Sequence, residues 1–153
     1  MIEIVIDASV VVKWFIEEKE SDKAKFLRDK FIDGQIELFI PSLLYFEVTN
    51  ALKYSKLFDP SELNDAGESL KNYGFKVITI KNAICECMIK IAVDHDMSIY
   101  DASYLGIRIA LGKTFCTADE KIIKKRPSKF KKTWKKSKAS RRYFQLNAFI
   151  LIR

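Results

Sequence analysis

Ile2-Glu3-Ile4-Val5-Ile6-Asp7, with the Ala8-Ser9-Val10 that follows, is the stretch on which the fold turns. The run is β-branched apart from Glu3 and stops at an acid, the pattern of a buried parallel strand that ends on a polar residue. A helical pattern runs from about Ser9 to Glu17, and Ser21-Asp22 opens a second helix that Gly34 stops. Ile36–Ile40 reads as the next strand, closed by Pro41, with Ser42 placed to cap the helix carrying Leu43, Leu44, Val48, Ala51 and Leu52. Asp59-Pro60-Ser61-Glu62 starts a helix that runs to Asn72. Phe75–Ile80 alternates like a strand, Ala83–Val93 is helical, and a helix from about Asp101 to Leu111 ends at Gly112. Thr114–Cys116 is a short strand, and Thr117 or Asp119 caps a last helix through about Lys125. Strands alternating with helices at these short connections predict an α/β fold with a mainly parallel sheet covered on both faces.

A chain of 153 residues, 48% hydrophobic, is one domain able to bury a core without disulfides. Cys85, Cys87 and Cys116 do not form a disulfide framework and read as reduced thiols of a cytoplasmic protein. The N-terminus lacks the positive region and apolar length of a signal peptide, and no stretch approaches a membrane span of about 20 apolar residues. The net charge of +7 conceals a division. Thirteen of the 27 bases follow residue 120, where there is no acid, leaving fourteen bases against 20 acids before it, a net of −6. The expected division is therefore an acidic body, residues 1–125, and a basic tail, residues 126–153, whose last ten residues either form an edge strand or pack loosely. Lys124, Lys125, Arg126, Lys131, Lys132, Lys135 and Lys136 are candidates for contacts to a phosphate backbone, against the plainer reading of a solvated end.

Four acids carry the chemistry. Asp7, Glu47, Asp101 and Asp119 each stand inside or just after an apolar run, and no Lys or Arg lies in those runs. A buried carboxylate protonates, pairs with a base or binds a metal. Oxygen donors without histidine suit Mg²⁺ or Mn²⁺. His95 is the single histidine, in the polar turn Asp94-His95-Asp96, which disfavours His-based zinc sites and Ser-His-Asp catalysis. No phosphate-binding or dinucleotide glycine motif occurs. Taken singly, Asp7 and Asp119 could be turn or N-cap residues, and Asp101 could simply sit in a first helical turn. Glu47 resists this, because Phe46 and Val48 flank it and Leu44 and Ala51 share its face. Asp7 and Asp119 both follow strands, where ligands of parallel sheets gather.

Four blocks together resemble the PIN-domain ribonucleases, most closely the toxins of VapBC toxin–antitoxin pairs: Val5-Ile6-Asp7-Ala8-Ser9-Val10 with Lys13-Trp14; Pro41 through Leu52; Tyr100-Asp101-Ala102-Ser103-Tyr104-Leu105; and Thr117-Ala118-Asp119-Glu120-Lys121. The blocks keep the family's order over about residues 1–125. The resemblance implies a three-layer α/β/α fold and a metal-dependent endoribonuclease in which Asp7, Glu47, Asp101 and Asp119 bind Mg²⁺ or Mn²⁺. Ser9, Asn50 and Thr117 match supporting positions. It also implies an RNA substrate (tRNA, rRNA or mRNA), a small antitoxin partner and a homodimer. The long Lys/Arg stretch after Lys125 departs from the family, whose members finish soon after this point.

Three other readings stay open. A housekeeping RNA-processing nuclease would use the same site. A small-substrate metal phosphatase would need Asp7 as a nucleophile. A catalytically silent binding module would keep the fold and a groove, with Trp14, Phe15 and Phe26 either lining it or packing in the core.

Overall fold

The computed structural model of the chain describes residues 1–125 and 150–152. Its middle layer is a sheet of β1 (Ile2–Ile6), β2 (Ile36–Pro41), β3 (Lys76–Ile78), β4 (Thr114–Thr117) and β5 (Ile150–Ile152), in the order β3-β2-β1-β4-β5. The first four strands are parallel and β5 pairs antiparallel with β4 at the edge. Around the sheet lie α1 (Ala8–Val11), α2 (Ser21–Ile32), α3 (Leu43–Ser55), α4 (Pro60–Asn72), α5 (Ala83–Asp94), α6 (Ile99–Leu111) and α7 (Glu120–Lys125), making the three-layer α/β/α arrangement. The edge strand sits inside the basic tail, so the tail contributes to the sheet.

β1 is central because its sequence tolerates no water on either face: Val5 and Ile6 are wholly buried, as are Leu38 and Ile40 of β2 and Phe115 and Cys116 of β4. From β1 the chain moves to β2 on one side, and later enters β4 on the other. The strand order therefore reverses at β1, and the crevice at its carboxyl end is where an open parallel sheet offers a site.

The local signals explain most boundaries. Asp59 and Glu62 form a reciprocal capping box, each side chain accepting the other's backbone N–H at 2.8 Å, with Pro60 in the first helical position. Gly34 and Gly112 follow α2 and α6 with φ of 69° and 63°, conformations a side chain would resist. Three expectations need correction. The helix expected over Ser9–Glu17 is only α1 plus a 3₁₀ turn at Val12–Trp14, since the β-branched run Val10-Val11-Val12 is a weak helix former. Ser42 makes no side-chain cap because its own backbone is helical (φ −57°, ψ −22°). The strand expected over Phe75–Ile80 shortens to Lys76–Ile78, where β3 pairs with the end of β2 and Pro41 can donate no further bond.

Trp14 is core, 5% exposed, with Tyr73 at its edge and Phe75 stacked against it. Phe15 packs partly buried beside this core, and Phe26 lies under the ammonium of Lys30. Trp14 and Phe15 thus belong to the core packing. α3 is not apolar all round in the sense of being buried all round: Leu44, Val48 and Leu52 face the core, while Phe46 is 73% exposed. A groove of about 800 Å³ runs instead between α3 and α4, past Tyr45, Phe46, Asn50 and Leu63. Among the described residues no helix is long and apolar enough to cross a membrane.

Candidate active site

Asp7 caps α1 with its backbone, not its side chain. Its carbonyl accepts from Val10 and Val11, its N–H donates to Cys116 of β4, and its carboxylate turns elsewhere. Oδ2 accepts two hydroxyls, Ser9 Oγ at 2.5 Å and Thr117 Oγ1 at 2.8 Å. The same hydroxyls accept in turn: Ala118 N donates to Ser9 Oγ and Asp119 N to Thr117 Oγ1, both at 3.0 Å. The turn after β4 is thereby laced to the turn after β1. Asp7 stands at the N-cap position of α1 but its carboxylate makes no capping bond, whereas Asp119 caps with a single oxygen: Oδ1 accepts Lys121 N at 2.7 Å, and Oδ2 has no partner among the described residues.

Glu47 arrives from the middle of α3 and accepts the hydroxyl of Tyr104 on α6. Asp101 lies in the first turn of α6, which Ser98 caps through Asp101 N at 3.0 Å. The four acids interact. Burial is the main cause that raises the Asp7 carboxyl above its ordinary value, the two hydroxyls oppose it, and Asp119 and Asp101 raise it further. Burial likewise lifts Glu47 to about 7, with Asp7, Asp101 and Asp119 adding to the effect and the Tyr104 hydrogen bond opposing it.

Such a cluster needs positive charge. Among the described residues, Lys13 bonds Glu18 and the Lys19 carbonyl, Lys124 pairs with Glu120, and Lys125 reaches Asp96. Among the described residues no three His, Cys, Asp or Glu side chains are drawn together tightly enough to cage an ion. Four repelling carboxylates with hard oxygen donors at the mouth of a parallel sheet still fit a divalent cation that keeps several waters, which is how Mg²⁺ is commonly bound.

Against the sequence expectations, Asp7, Glu47, Asp101 and Asp119 share one electrostatic neighbourhood, and Ser9 and Thr117 touch Asp7. Asn50 is exposed and lines the α3–α4 groove. Arg126, Lys131, Lys132, Lys135 and Lys136 lie outside the described residues. Tyr104 is the site residue that sequence reasoning missed. Its signal was a polar tip one turn after Asp101 on an otherwise buried helical face.

A PIN domain model matches residues 4–127. The chain belongs to the PIN domain family. Ribonuclease VapC3 of Pyrobaculum aerophilum is 25% identical over 130 residues, covering 82% of this chain and 95% of that protein. The crystal structure of PAE2754 from Pyrobaculum aerophilum superimposes with a TM-score of 0.60 at 24% identity, covering 96% of each chain, and so agrees in fold. In this PIN domain, the acids occupy the carboxyl end of the sheet, and the edge strand β5 completes the side nearest Thr117.

Proposed function

We propose that this PIN domain is a Mg²⁺- or Mn²⁺-dependent endoribonuclease and the toxin of a toxin–antitoxin pair. The observation that carries the reading is the Asp7 carboxylate, buried beside two further acids with only hydroxyl donors to balance it. The likeness to Ribonuclease VapC3 supports the substrate class. Asp7, Glu47, Asp101 and Asp119 hold the cation. When bound, it supplies Lewis-acid stabilisation of the phosphate and an activated nucleophile at neutral pH.

The chain's own residues set up the rest. Ser9 and Thr117 fix the Asp7 carboxylate in one rotamer, so that its free oxygen faces the crevice without searching. The Asp119 turn is pinned by Thr117 and by Lys121 N, which holds a negative charge at the rim. Burial around Asp7 lowers the local dielectric and strengthens each interaction with the scissile phosphate. The products of hydrolysis on this scheme are a 5′-phosphate and a 3′-hydroxyl.

An acidic site repels RNA, so a basic surface must offset it. β5 enters the sheet with Ile150 opposite Thr117, at the same end as the acids. The sequence between Lys125 and Ile150 is rich in Lys and Arg and holds no acid. We assign to them contacts with the RNA backbone, and treat residues 1–125 as the nuclease domain. The partners are RNA, a small antitoxin and a second copy of the chain, and the compartment is the cytoplasm.

The test is incubation of the protein with total cellular RNA, with and without Mg²⁺ or Mn²⁺, beside Asp7→Asn, followed by sequencing of new 5′ ends. Discrete metal-dependent cuts that vanish in the variant are expected. Full cleavage by Asp7→Asn would overturn the assignment of the site.

A further inference from the structure

Tyr104 is fully buried, yet its hydroxyl lies among charges. It stands on α6 one turn past Asp101, and its ring packs 6.2 Å from Phe115 of β4. The hydroxyl donates to Glu47 Oε2 on α3. This bond ties together two of the segments that bear the acids, α3 with Glu47 and α6 with Asp101.

Core packing accounts for the ring, which Phe would fill equally well. It does not account for the hydroxyl, which gives up water only to meet a carboxylate repelled by three others. Glu47 has three side-chain torsions and is only partly buried, so without a partner its carboxylate would sample several positions and retreat from Asp7 toward water. With Oε2 held by the phenol, Oε1 has no hydrogen-bond partner among the described residues.

Resting on the metal-nuclease reading above, we infer that Tyr104 is a positioning residue: its hydroxyl holds Glu47 against its three acidic neighbours in the orientation that receives the divalent cation. The residue touches neither substrate nor cation. It acts through Glu47, as groups that orient a metal-binding side chain commonly do.

The test is Mn²⁺ binding to the full chain without RNA, with free Mn²⁺ read by electron paramagnetic resonance, for wild type, Tyr104→Phe, Glu47→Gln and the double variant. Thermal melts in EDTA run alongside to establish folding. Tyr104→Phe is expected to weaken Mn²⁺ binding on the order of 10-fold or more. In the Glu47→Gln background the same change is expected to have no further effect, because the group it acts through is gone. A folded Tyr104→Phe with wild-type Mn²⁺ affinity overturns the inference, as does a loss that is undiminished in the Glu47→Gln background. If Tyr104→Phe does not fold, 3-fluorotyrosine at position 104 keeps the shape and makes the hydroxyl a stronger donor; an unchanged Mn²⁺ affinity then overturns the inference. A wild type that binds no Mn²⁺, or binding indifferent to Glu47→Gln, defeats the metal-nuclease reading itself, an outcome separate from failure at Tyr104 alone.

Discussion

Thr117 Oγ1 donates to Asp7 Oδ2 at 2.8 Å although 110 residues separate them, and the same oxygen accepts the backbone N–H of Asp119. One hydroxyl therefore aligns two acids that follow neighbouring strands. Thr117→Val keeps shape and removes both bonds. It is expected to lower stability by about 1–3 kcal/mol, because a buried carboxylate and an amide lose their partner. It is also expected to weaken divalent-metal binding on the order of 10-fold. Denaturant melts and Mn²⁺ titration measure the two effects; wild-type metal affinity would show that Ser9 alone orients Asp7.

Asp7→Asn separates function from stability. The amide removes a buried charge next to Asp101 and Asp119 while filling the same volume. Its melting temperature in EDTA at pH 8 is expected to equal or exceed that of wild type, as befits a site held at some expense of stability. A melting temperature several degrees lower would mean that the carboxylate itself stabilises the fold.

The pH dependence of the metal-free protein has a definite sign. Glu47 sits at about 7 in the folded chain, against an ordinary 4.5, and Asp7 is raised as well. Between these values the folded state holds protons that the unfolded state has released, so the stability these groups contribute is present in full below about 4.5 and is lost as pH rises toward 7. Melts in EDTA should fall from pH 5 to pH 8, after allowance for the other titrating groups by comparison with Glu47→Gln. Saturating Mg²⁺ should flatten or reverse the trend, since cation binding requires the ionised carboxylates. Stability that rises over this range in EDTA, equally in wild type and Glu47→Gln, would contradict the shift.

Gly106 of α6 packs directly against α5. A methyl group there would lie 3.1 Å from Ile84 O, Met88 N and Met88 Cβ, and two of those atoms are backbone that cannot step aside. Gly106→Ala is expected to destabilise by about 1–3 kcal/mol in urea melts, even though alanine favours a helix. A neutral or stabilised variant would show that the two helices can separate freely.

Replacing Lys131, Lys132, Lys135 and Lys136 by Gln tests the basic segment without removing β5. RNA binding should weaken, and the slope of log affinity against log salt should shrink by at most about 3 if all four contact a single strand. An unchanged slope would take these residues out of the RNA contact.

Local chemistry made much of this protein legible in its sequence. The β-branched runs set β1 and β2, Asp59 and Glu62 announced the start of α4, and Gly34 and Gly112 set the ends of α2 and α6, because each of these depends on residues within a few positions. The four acids were legible for the same reason, as charges in apolar surroundings. The reading slipped at β3, where pairing with the end of β2 at Pro41 limits the strand, and at Ser42, whose own helical backbone leaves its hydroxyl no capping role.

The sequence by itself determined that strands alternate with helices, that the acids would be costly to bury, and that the positive charge gathers after residue 120. Only the tertiary structure decided which hydroxyls meet which acids: Thr117 and Ser9 at Asp7, Tyr104 at Glu47. Burial and charge are properties a residue carries with its neighbours in the chain. A hydrogen bond is set within a few tenths of an ångström between residues 57 or 110 positions apart, and only the packed sheet and helices bring them into range.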